Sequence, residues 1–455
     1  MPKRVVFLCY HGIGHINPCF PLARILEQQG HAVTIATVAH FNGYVTRAGF
    51  THYALKSVPF GLGFESWVNT ERNARFLYWA NLRDRYHDQL YREREDDLML
   101  LLNDVKPDVI LMDATQATDF IVLYPIMKQR GISHAMFHAM FPTHVLPGRP
   151  PANSLVVPGN PNQERAALAK MQRRLNRSDL KQRLLYFGMS DRYLINRRLH
   201  QNHVPLRFQL TIPSLFDFQV DHVPAFILAP RKFDYPDFDA PTNHHYIGFI
   251  AYDFPISKEA RWSQAKTAIR DRRAAGSRLV YCSFGTIGTR DEKRIDAFLI
   301  RLADAITEAG NLLVISMAKE RMAPVGLERD NVWVFPTVPQ TEVLRCSDVF
   351  VTHGGLSSIK EAIDAAVPML MVPVHHQFDP PGNAARVQFH GMGLLGDIHD
   401  HTDQLKGQLE ALLNNSKFRS NIEMIRETNK HNPQQRFLEL FDSLVADGPH
   451  AVHSL

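Results

Sequence analysis

Short apolar runs alternate with amphipathic stretches in the first part of the chain. Residues 5–10 and 32–37 are apolar runs of strand length, and residues 18–29 between them have helical periodicity. Gly30 comes after this predicted helix where a left-handed cap residue is common, and residues 109–112 predict a further strand. Because strands separated by helices form parallel sheets, this part predicts an α/β domain.

The same alternation restarts in the second half of the chain. Apolar runs at 279–284, 312–317, 332–335, 349–351 and 369–374 predict strands, and stretches at 295–309, 342–346, 359–366, 383–389 and 402–413 predict helices. The 455 residues exceed one ordinary core. We therefore predict two Rossmann-like, doubly wound domains, 1–252 and 253–455, with ligands in the cleft between them. Residues 60–243 give a weaker pattern.

Composition excludes several classes of protein. A hydrophobic content of 45% with 21% charged residues is typical of a soluble globular protein. The net charge, 51 − 46 = +5, is too small for this length to indicate nucleic-acid binding. No apolar run reaches about 18 residues, so no transmembrane helix is expected. Residues 5–9 lead straight into a polar loop, which predicts a first strand rather than a signal peptide.

The four cysteines are far apart in sequence. Cys9, Cys19, Cys282 and Cys346 have no spacing typical of a metal site. They predict core thiols in a reducing compartment, and the cytoplasm is the expected location.

The stretch 349–361 carries the strongest chemical signal. An apolar strand is followed by His353, Gly354 and Gly355, and Ser357 and Ser358 then open a helix. The free N–H groups and the positive dipole end of a helix favour an anion, so this arrangement predicts a diphosphate site.

Glu361, one turn into that helix, could accept hydrogen bonds from ribose hydroxyls. The alternative needs no ligand, because Ser358 and Glu361 also have the spacing of a capping box.

His15 is the candidate general base. It lies in a glycine-containing loop between the first strand and the first helix, at the crevice position of an α/β sheet. A neutral imidazole there can take a proton from a hydroxyl. Asp113 ends the strand at 109–112 and could orient that imidazole, or it could simply cap the next helix.

Three other loops are candidates for ligand contacts. The stretch 283–286 ends in Thr286 after a strand, Gln340 comes after a proline beyond the strand at 332–335, and Asp379 lies in a loop before a helix. A metal site built from His375, His376 and Asp379 is disfavoured, because adjacent histidines diverge; no metal or cofactor is expected.

Taken in order, these motifs resemble the two-domain (GT-B) nucleotide-sugar glycosyltransferases. The similarity is to the family of plant natural-product, animal UDP-glucuronosyl and bacterial macrolide or carotenoid enzymes. The residues that carry it are the Gly14–Pro18 loop, Pro339-Gln340, His353 to Ser358 with Glu361, Pro368, and Asp379 with Asn383-Ala384. The stretch from about 60 to 250 carries no motif of the family beyond Asp113.

The resemblance implies an inverting transfer of a hexose, glucose above all, from a UDP-sugar co-substrate. His15, oriented by Asp113, would deprotonate the acceptor. Thr286, His353 and the 354–358 segment would stabilise the leaving diphosphate without a metal. Glu361 and Gln340 would bind the nucleotide and Asp379 the sugar. The last helix would pack back on the first domain.

Three departures from the family pattern leave the donor open. Thr337 occupies a position that often carries an aromatic residue stacking on uracil, so base recognition would rest on the Val338 backbone, and UDP or dTDP remains possible. Pro380 replaces the usual glutamine, for which Gln377 could substitute. Leu356 and Ser357 replace the Trp-Asn pair of the plant members.

The acceptor site is predicted from aromatic residues in the weaker stretch. Phe60, Phe64, Trp67 and Trp79 could line a cleft for a small lipophilic hydroxyl compound, although core packing explains any one of them equally well. The basic run at 173–183 could contact an anionic membrane surface, or could be a solvated helix face.

The leading hypothesis is therefore a UDP-glycosyltransferase of small lipophilic acceptors. The alternatives are an epimerase or hydrolase of nucleotide-sugars with the same fold, and a non-catalytic partner that binds nucleotide-sugar. The sequence leaves the acceptor, the sugar and the oligomeric state open.

Overall fold

The computed structural model describes residues 1–250, 252, 260–285, 292–317, 323–429 and 432–447. The position at which the sequence predicts the domain boundary, 252/253, adjoins residues outside this description.

The amino-terminal half is built on a seven-stranded parallel sheet in the order β3-β2-β1-β4-β5-β6-β7. Its strands are β1 Arg4–Leu8, β2 Ala32–Val38, β3 Thr51–Leu55, β4 Val109–Asp113, β5 Ser133–His138, β6 Ala225–Ile227 and β7 His244–Tyr246. Its helices are α1 Ile13–Ile16, α2 Cys19–Gln28, α3 Asn42–Arg47, α4 Glu65–Glu71, α5 Leu77–His87, α6 Gln89–Val105, α7 Thr118–Arg130, α8 Pro161–Leu185 and α9 Asp191–Gln201. Short 3₁₀ turns lie at Ala39–Phe41, Ala114–Gln116, Leu206–Phe208 and Arg231–Phe233.

The carboxyl-terminal half is built on a six-stranded parallel sheet in the order β10-β9-β8-β11-β12-β13. Its strands are β8 Leu279–Ser283, β9 Leu312–Ser316, β10 Val332–Phe335, β11 Val349–Thr352, β12 Met369–Met371 and β13 Gly393–Leu395. Its helices are α10 Ala260–Ala274, α11 Glu292–Glu308, α12 Gln340–Arg345, α13 Leu356–Asp364, α14 Pro380–Phe389, α15 Thr402–Asn414, α16 Ser416–Thr428 and α17 Pro433–Asp447.

The central strands are continuous apolar runs because helices cover both faces of each sheet. Every residue of β4, β8 and β11 is buried. In each sheet the strand order reverses at one point, between β1 and β4 and between β8 and β11. Ligands of doubly wound sheets bind beyond the carboxyl ends of the strands at this point. The predicted fold class is confirmed.

The final helix returns to the first sheet. Phe437 and Phe441 of α17 are fully buried among residues of the amino-terminal half, and the Phe437 ring lies 5.9 Å from that of Phe226. Searching the described residues for a helix of the length and apolarity needed to cross a membrane yields none.

Candidate functional site

A histidine–carboxylate pair lies at the switch point of the first sheet. His15 is on the one-turn helix α1 directly after β1, and Asp113 is the last residue of the neighbouring strand β4. Because the two strands are adjacent and parallel, their carboxyl ends bring the side chains together: His15 Nδ1 lies 2.9 Å from Asp113 Oδ2. The predicted pairing, across 98 residues of sequence, is confirmed.

Asp113 is fully buried and has two partners. Its second oxygen accepts the backbone N–H of Thr115 at 2.8 Å, so it also caps the 3₁₀ turn at Ala114–Gln116. The two interpretations of Asp113 are therefore both right. The cap holds the carboxylate rigidly, which fixes the orientation of the His15 ring.

The charge state of His15 is set by two carboxylates. Burial by itself lowers the pKa of His15, but the charge and hydrogen bond of Asp113 and the charge of Asp379 more than offset it, so the pKa lies above its ordinary value. Asp379 belongs to the other half of the chain. Its charge therefore acts on His15 from the loop before α14.

His11, in the same loop, has a pKa that is shifted in the opposite direction. Burial, followed by the charges of Arg94 and His15, lowers the pKa of His11 to about 4. No described carboxylate forms an ion pair or hydrogen bond with it. Of the two imidazoles in this loop, only His15 is oriented by an acceptor at one nitrogen, which leaves the other nitrogen free for a substrate.

The start of α13 has the features of an anion site. Its N-cap is Gly355, in an extended conformation, with no side chain accepting a hydrogen bond from the first turn. The first intrahelical bond runs from Ile359 N–H to Gly355 O at 3.1 Å, so the N–H groups of Leu356, Ser357 and Ser358 precede the helical ladder. Those groups are therefore available to a ligand.

The capping-box interpretation of Ser358 and Glu361 is wrong. The helix already begins at Leu356, so Ser358 lies at the third helical position rather than at the N-cap. Both side chains instead bond Gln340: its Nε2 lies 3.2 Å from Ser358 Oγ and 2.6 Å from Glu361 Oε2. The Gln340 carbonyl oxygen accepts from Tyr281 O–H at 3.0 Å. These three candidates therefore form one polar cluster beside the helix start.

His353 lies beneath that helix start, almost completely buried. Burial, reinforced by the charge of His375, lowers the pKa of His353 to about 4, so its ring is neutral near pH 7. Within the described part of the chain, its Nδ1 has no hydrogen-bond partner. A buried polar atom without a partner costs free energy, and a phosphate oxygen would satisfy it.

Glycines on both sides leave room for the His353 ring. A β-carbon at Gly285 would come 2.8 Å from the ring, and one at Gly355 would come 2.9 Å from its Nε2. Gly354 has a φ of +98°, which other residues rarely adopt, and a β-carbon there would clash with Pro380 O at 2.9 Å. The glycines are thus required by close packing around the ring and by the turn.

Asp379 is held by the first turn of α14. Asn383 donates one amide hydrogen to Asp379 Oδ2 at 2.8 Å and the other to Gly354 O at 2.9 Å. The predicted sugar ligand is thereby tied to the predicted diphosphate loop. Burial raises the pKa of Asp379, although the hydrogen bond from Asn383 and the charge of His15 oppose this.

The structure says less about Val338 and Thr286, the remaining candidates for donor binding. Val338 is buried in the core, so any contact with a base would come from its backbone. Thr286 lies outside the described residues. A search of the described residues for groups of three or more His, Cys, Asp or Glu side chains that could hold a metal ion gives none, and this includes the set His375, His376 and Asp379.

Of the four acceptor candidates, two lie near His15. The Trp67 ring stacks on His11 with centroids 6.0 Å apart, and Phe64 lies 5.0 Å from the same ring. Tyr10 joins this group to His15, at 5.1 Å between ring centroids.

The prediction for the other two is wrong. Phe60 is only 2% exposed and packs edge-on against Tyr91 within the hydrophobic core, as the alternative of core packing expects. Trp79 is 63% exposed and packs on Tyr78 at the outer surface of α5.

A pocket of about 150 Å³ lies beside His15 in the same half. Thr115 lines it, and Thr115 Oγ1 is 3.4 Å from His15 Nδ1. The other lining residues come from the loops after β3 and β4, from α7, α8 and α9, and from the stretch before β6. They are mostly apolar: Gly61, Leu62, Ala117, Thr118, Leu175, Asp191, Ile195, Leu215, Phe216, Asp217 and Phe218. Only the loop at 61–62 adjoins an acceptor candidate predicted from sequence.

A buried ion network joins the two halves behind the cleft. Asp234 is almost fully buried and pairs with Arg386 of α14 at 2.9 Å and with Arg149 at 3.0 Å. Burial raises the pKa of Asp234, but the two guanidinium charges more than offset this and bring it to about 2. Gly382 N–H also donates to Ala152 O at 2.9 Å, so α14 is attached to the amino-terminal half at two points.

Sequence reasoning missed several of these residues. Asn383 was named only as part of the family motif, and its contact with Asp379, four residues earlier, was not predicted although the spacing could have indicated it. Tyr281 is an inner residue of an apolar strand, and Asp234 lies in a turn-rich stretch. Nothing local in the sequence indicates their partners, which are 59 and 152 residues away.

Comparison with solved structures shows the fold. The crystal structure titled as the glycotransferase of kitacinnamycin superposes with a TM-score of 0.69 and 20% identity, covering 98% of this chain and all of that one. The fold is therefore that of the GT-B glycosyltransferases, which agrees with the two facing sheets.

Sequence comparison finds a family match over part of the chain. Residues 222–438 match the family model described as UDP-glucoronosyl and UDP-glucosyl transferase. The match covers slightly less than half of the chain.

Two curated relatives illustrate the extent of the similarity. The uncharacterized UDP-glucosyltransferase YdhE of Bacillus subtilis (strain 168) is 29% identical over 203 residues, 43% of this chain and 48% of that protein. The 4'-demethylrebeccamycin synthase of Lentzea aerocolonigenes is 24% identical over 441 residues, 94% of this chain and 96% of that protein.

Proposed function

We propose that this chain is an inverting, metal-independent glycosyltransferase that moves a hexose from a UDP-sugar to a hydroxyl of a small lipophilic acceptor. The observation that carries the proposal is the 2.9 Å contact between His15 Nδ1 and the buried Asp113 at the switch point of the first sheet. The charge of Asp379, in the loop before α14, acts on the same imidazole.

The base in this mechanism is the free nitrogen of His15. Because Asp113 is an acceptor, Nδ1 of His15 carries the proton between them, and Nε2 is left with a lone pair. Nε2 takes the proton of the acceptor hydroxyl as its oxygen attacks the anomeric carbon. The bond from that carbon to the diphosphate breaks on the opposite face, so the configuration inverts. Asp113 stabilises the imidazolium formed.

The leaving diphosphate takes the bonding electrons and needs compensation for its charge. In this proposal the N–H groups at the start of α13, the Ser358 hydroxyl and the unpartnered nitrogen of His353 supply it, with Thr286 from the loop after β8. Such fixed dipoles stabilise developing charge without reorganising, so the step requires no metal ion.

The rest of the donor is assigned from the polar cluster and from α14. Glu361, aligned by Gln340, would accept the ribose hydroxyls, and the Val338 backbone would contact the base. Asp379, held by Asn383, would accept the sugar hydroxyls. With Thr337 in place of an aromatic residue, both UDP and dTDP fit this assignment, and glucose is the proposed hexose.

The acceptor would lie in the apolar pocket beside Thr115. Phe64 and Trp67, which pack on His11 in the same loop as His15, would contact the part of the acceptor outside this pocket. The names of the relatives refer to natural products, and we extend that class of acceptor to this chain.

The four cysteines are free thiols. Even the sulfurs of Cys9 and Cys19, which are 3.4 Å apart, are not joined by a disulfide bond. Unpaired thiols at this distance support a reducing compartment such as the cytoplasm.

The proposal is tested by incubating the purified chain with UDP- and dTDP-hexoses and a panel of polyphenols, macrolides and carotenoid alcohols. We expect nucleotide release that depends on the acceptor and persists in EDTA, and an anomeric configuration opposite to that of the donor by NMR. Equal nucleotide release without an acceptor would indicate a hydrolase. Conversion of the donor into a different nucleotide-sugar would indicate an epimerase. Tight nucleotide binding without turnover would indicate a non-catalytic partner.

A further inference from the structure

The outward face of α8 and the adjoining start of α5 form an unusual surface. Five large apolar side chains there are each more than half exposed: Phe76, Trp79, Leu180, Leu184 and Phe187. We call these five residues the outer patch. Clustered exposed apolar side chains of this size mark an interaction site more often than they occur by chance on a monomer.

Direct contacts show that the two elements meet. Tyr78, on α5, donates its hydroxyl to Leu185 O at the end of α8 at 2.8 Å. The Tyr78 ring also stacks on that of Tyr186, with centroids 6.2 Å apart. The outer patch is therefore one surface rather than two separate groups of side chains.

Positive charge is concentrated on the same helix. Residues 161–185 contain seven Lys or Arg and two Asp or Glu, a net charge of 7 − 2 = +5, which equals the net charge of the whole chain. Lys170, Arg173, Arg177 and Lys181 are exposed, and in the described part of the chain none of them has a carboxylate partner. Recurring every three or four residues, they share one face of the helix.

Leu180 and Leu184 lie on that basic side of α8. The opposite side faces inward, because Met171 is buried and Leu175 lines the pocket beside His15. At 100° per residue, Leu175 and Leu184 are about half a turn apart around the helix axis. Arg174 of the same helix donates to His376 O at 3.2 Å in the carboxyl-terminal half, whereas Leu180, Leu184 and the four exposed basic residues are outward. The other side of α8 closes the candidate acceptor pocket.

We propose that the outer patch docks the protein on a bilayer surface that carries anionic headgroups, where α8 gives the pocket access to acceptors dissolved in the membrane. Aromatic and aliphatic side chains flanked by lysine and arginine are the combination that binds at a lipid interface. A contact between two copies related by a twofold axis would bring like-charged helices together, which disfavours that occupant. The part of this inference that concerns the acceptor rests on the proposed function; docking itself does not.

The test is co-sedimentation of the full chain with vesicles. Vesicles of phosphatidylcholine alone are compared with vesicles containing one part in three of phosphatidylglycerol, at low and high salt. We expect strong binding to the anionic vesicles only, weakened by salt. The charge-reversal pair Arg177→Glu with Lys181→Glu should reduce binding at least about tenfold, because each basic residue near such a surface contributes about fivefold.

Matched controls separate docking from general surface effects. Lys417→Glu makes the same kind of charge change on α16, and Met424→Ser removes an equally exposed apolar side chain there; both should bind as the wild type does. Leu184→Ser with Phe187→Ser should abolish binding while the unfolding midpoint stays unchanged. Equal binding to both vesicle types, or unchanged binding by the patch variants, would overturn the proposal. So would a dimer in solution that these variants convert to a monomer.

Activity distinguishes this inference from the proposed function. The patch variants should retain transfer to a water-soluble acceptor without vesicles, and lose about tenfold with an acceptor held in anionic vesicles. Transfer without any vesicle binding would leave the proposed function standing and remove the docking. Vesicle binding without transfer to any acceptor would support the docking and contradict the proposed function.

Discussion

Two histidines follow central strands at the switch points of the two sheets. Their surroundings shift their pKa values in opposite directions. His15, after β1, interacts with two carboxylates and has a raised pKa. His353, after β11, lies among glycines with no hydrogen-bonded carboxylate in the described residues, and its pKa is lowered to about 4. The same strand–loop–helix unit thus produces a site suited to gain a proton in one half and a site suited to bind an anion in the other.

The difference arises at the carboxyl end of the neighbouring strand in each sheet. β4 ends in Asp113, which therefore meets the histidine of its neighbour β1 directly. β8 is the corresponding neighbour of β11, and beyond its end the chain continues with Gly285, which packs against the His353 ring and contributes no charge. Substitutions that remove one side of this contrast at a time should therefore have separable effects.

The largest effect is expected for His15→Ala. If His15 is the base, turnover should fall by about 10²–10⁴-fold, the usual contribution of general-base catalysis, while the Kd for UDP stays nearly constant. Steady-state kinetics and calorimetry measure the two quantities. His40→Ala, at an exposed loop histidine, is the control. Unaltered turnover in the variant would remove His15 from the mechanism.

Asp234→Asn is expected to loosen the attachment of α14, which carries Asp379 toward His15. Two buried guanidinium groups would lose their counter-charge, and breaking such a pair costs about 3–5 kcal/mol in the free energy of unfolding. Denaturation in urea measures this loss.

The pH dependence of this pair has a defined sign. Because the pKa of Asp234 is depressed to about 2, its contribution to stability is present above the unfolded-state value of 3.8 and is lost as the pH falls toward 2. The free energies of unfolding of the wild type and of Asp234→Asn should therefore approach each other as the pH falls from 3.8 toward about 2. A constant difference in stability across it would contradict the assignment.

Gly355→Ala tests the crowding around His353. The backbone of Gly355 suits any residue, but the new methyl group would lie 2.9 Å from His353 Nε2. Overpacking of this kind costs about 1–3 kcal/mol in the free energy of unfolding. The displaced His353 ring should in addition weaken UDP binding. Gly407→Ala is the matched control, because a β-carbon there meets nothing within 4 Å. UDP affinity that falls equally in both variants would show that the His353 environment is not involved.

Glu361→Ala should have the smallest effect, a loss of about tenfold in UDP affinity from a charged hydrogen bond to ribose. The side chain does not cap α13, so little loss of helix stability is expected. Glu410→Ala, on the exposed side of α15, is the control. Reduced stability with an unchanged Kd for UDP would assign Glu361 a structural role instead.

Much of the fold could be predicted because both faces of the central strands are buried. Their continuous apolar runs are visible in sequence, as at Val349–Thr352, and the glycines that end them are equally clear. Strands β3, β5, β6, β7 and β13 were not predicted. The last three have three residues each, which are too few for a periodic signal.

The candidate site was predictable where its residues come directly after strands. His15, Asp113, His353 and Asp379 occupy positions that the topology brings to one cleft. The sequence did not distinguish aromatic residues near His15 from those in the core or on the surface. Burial of Phe60 and exposure of Trp79 depend on how the segments after β3 pack. Contacts such as that of Asp234 with Arg386 join distant stretches and leave no local pattern.

The most direct test of the proposed base is the pH dependence of kcat/KM in the wild type and in Asp113→Asn. Activity of the wild type should rise with pH around a midpoint above the ordinary imidazole value of 6.5, because a proton on His15 blocks the base. In the variant the negative charge of residue 113 is lost while burial remains, so the midpoint should move to lower pH. An identical midpoint in both proteins would contradict the claim that the His15–Asp113 pair accepts the proton of the reaction.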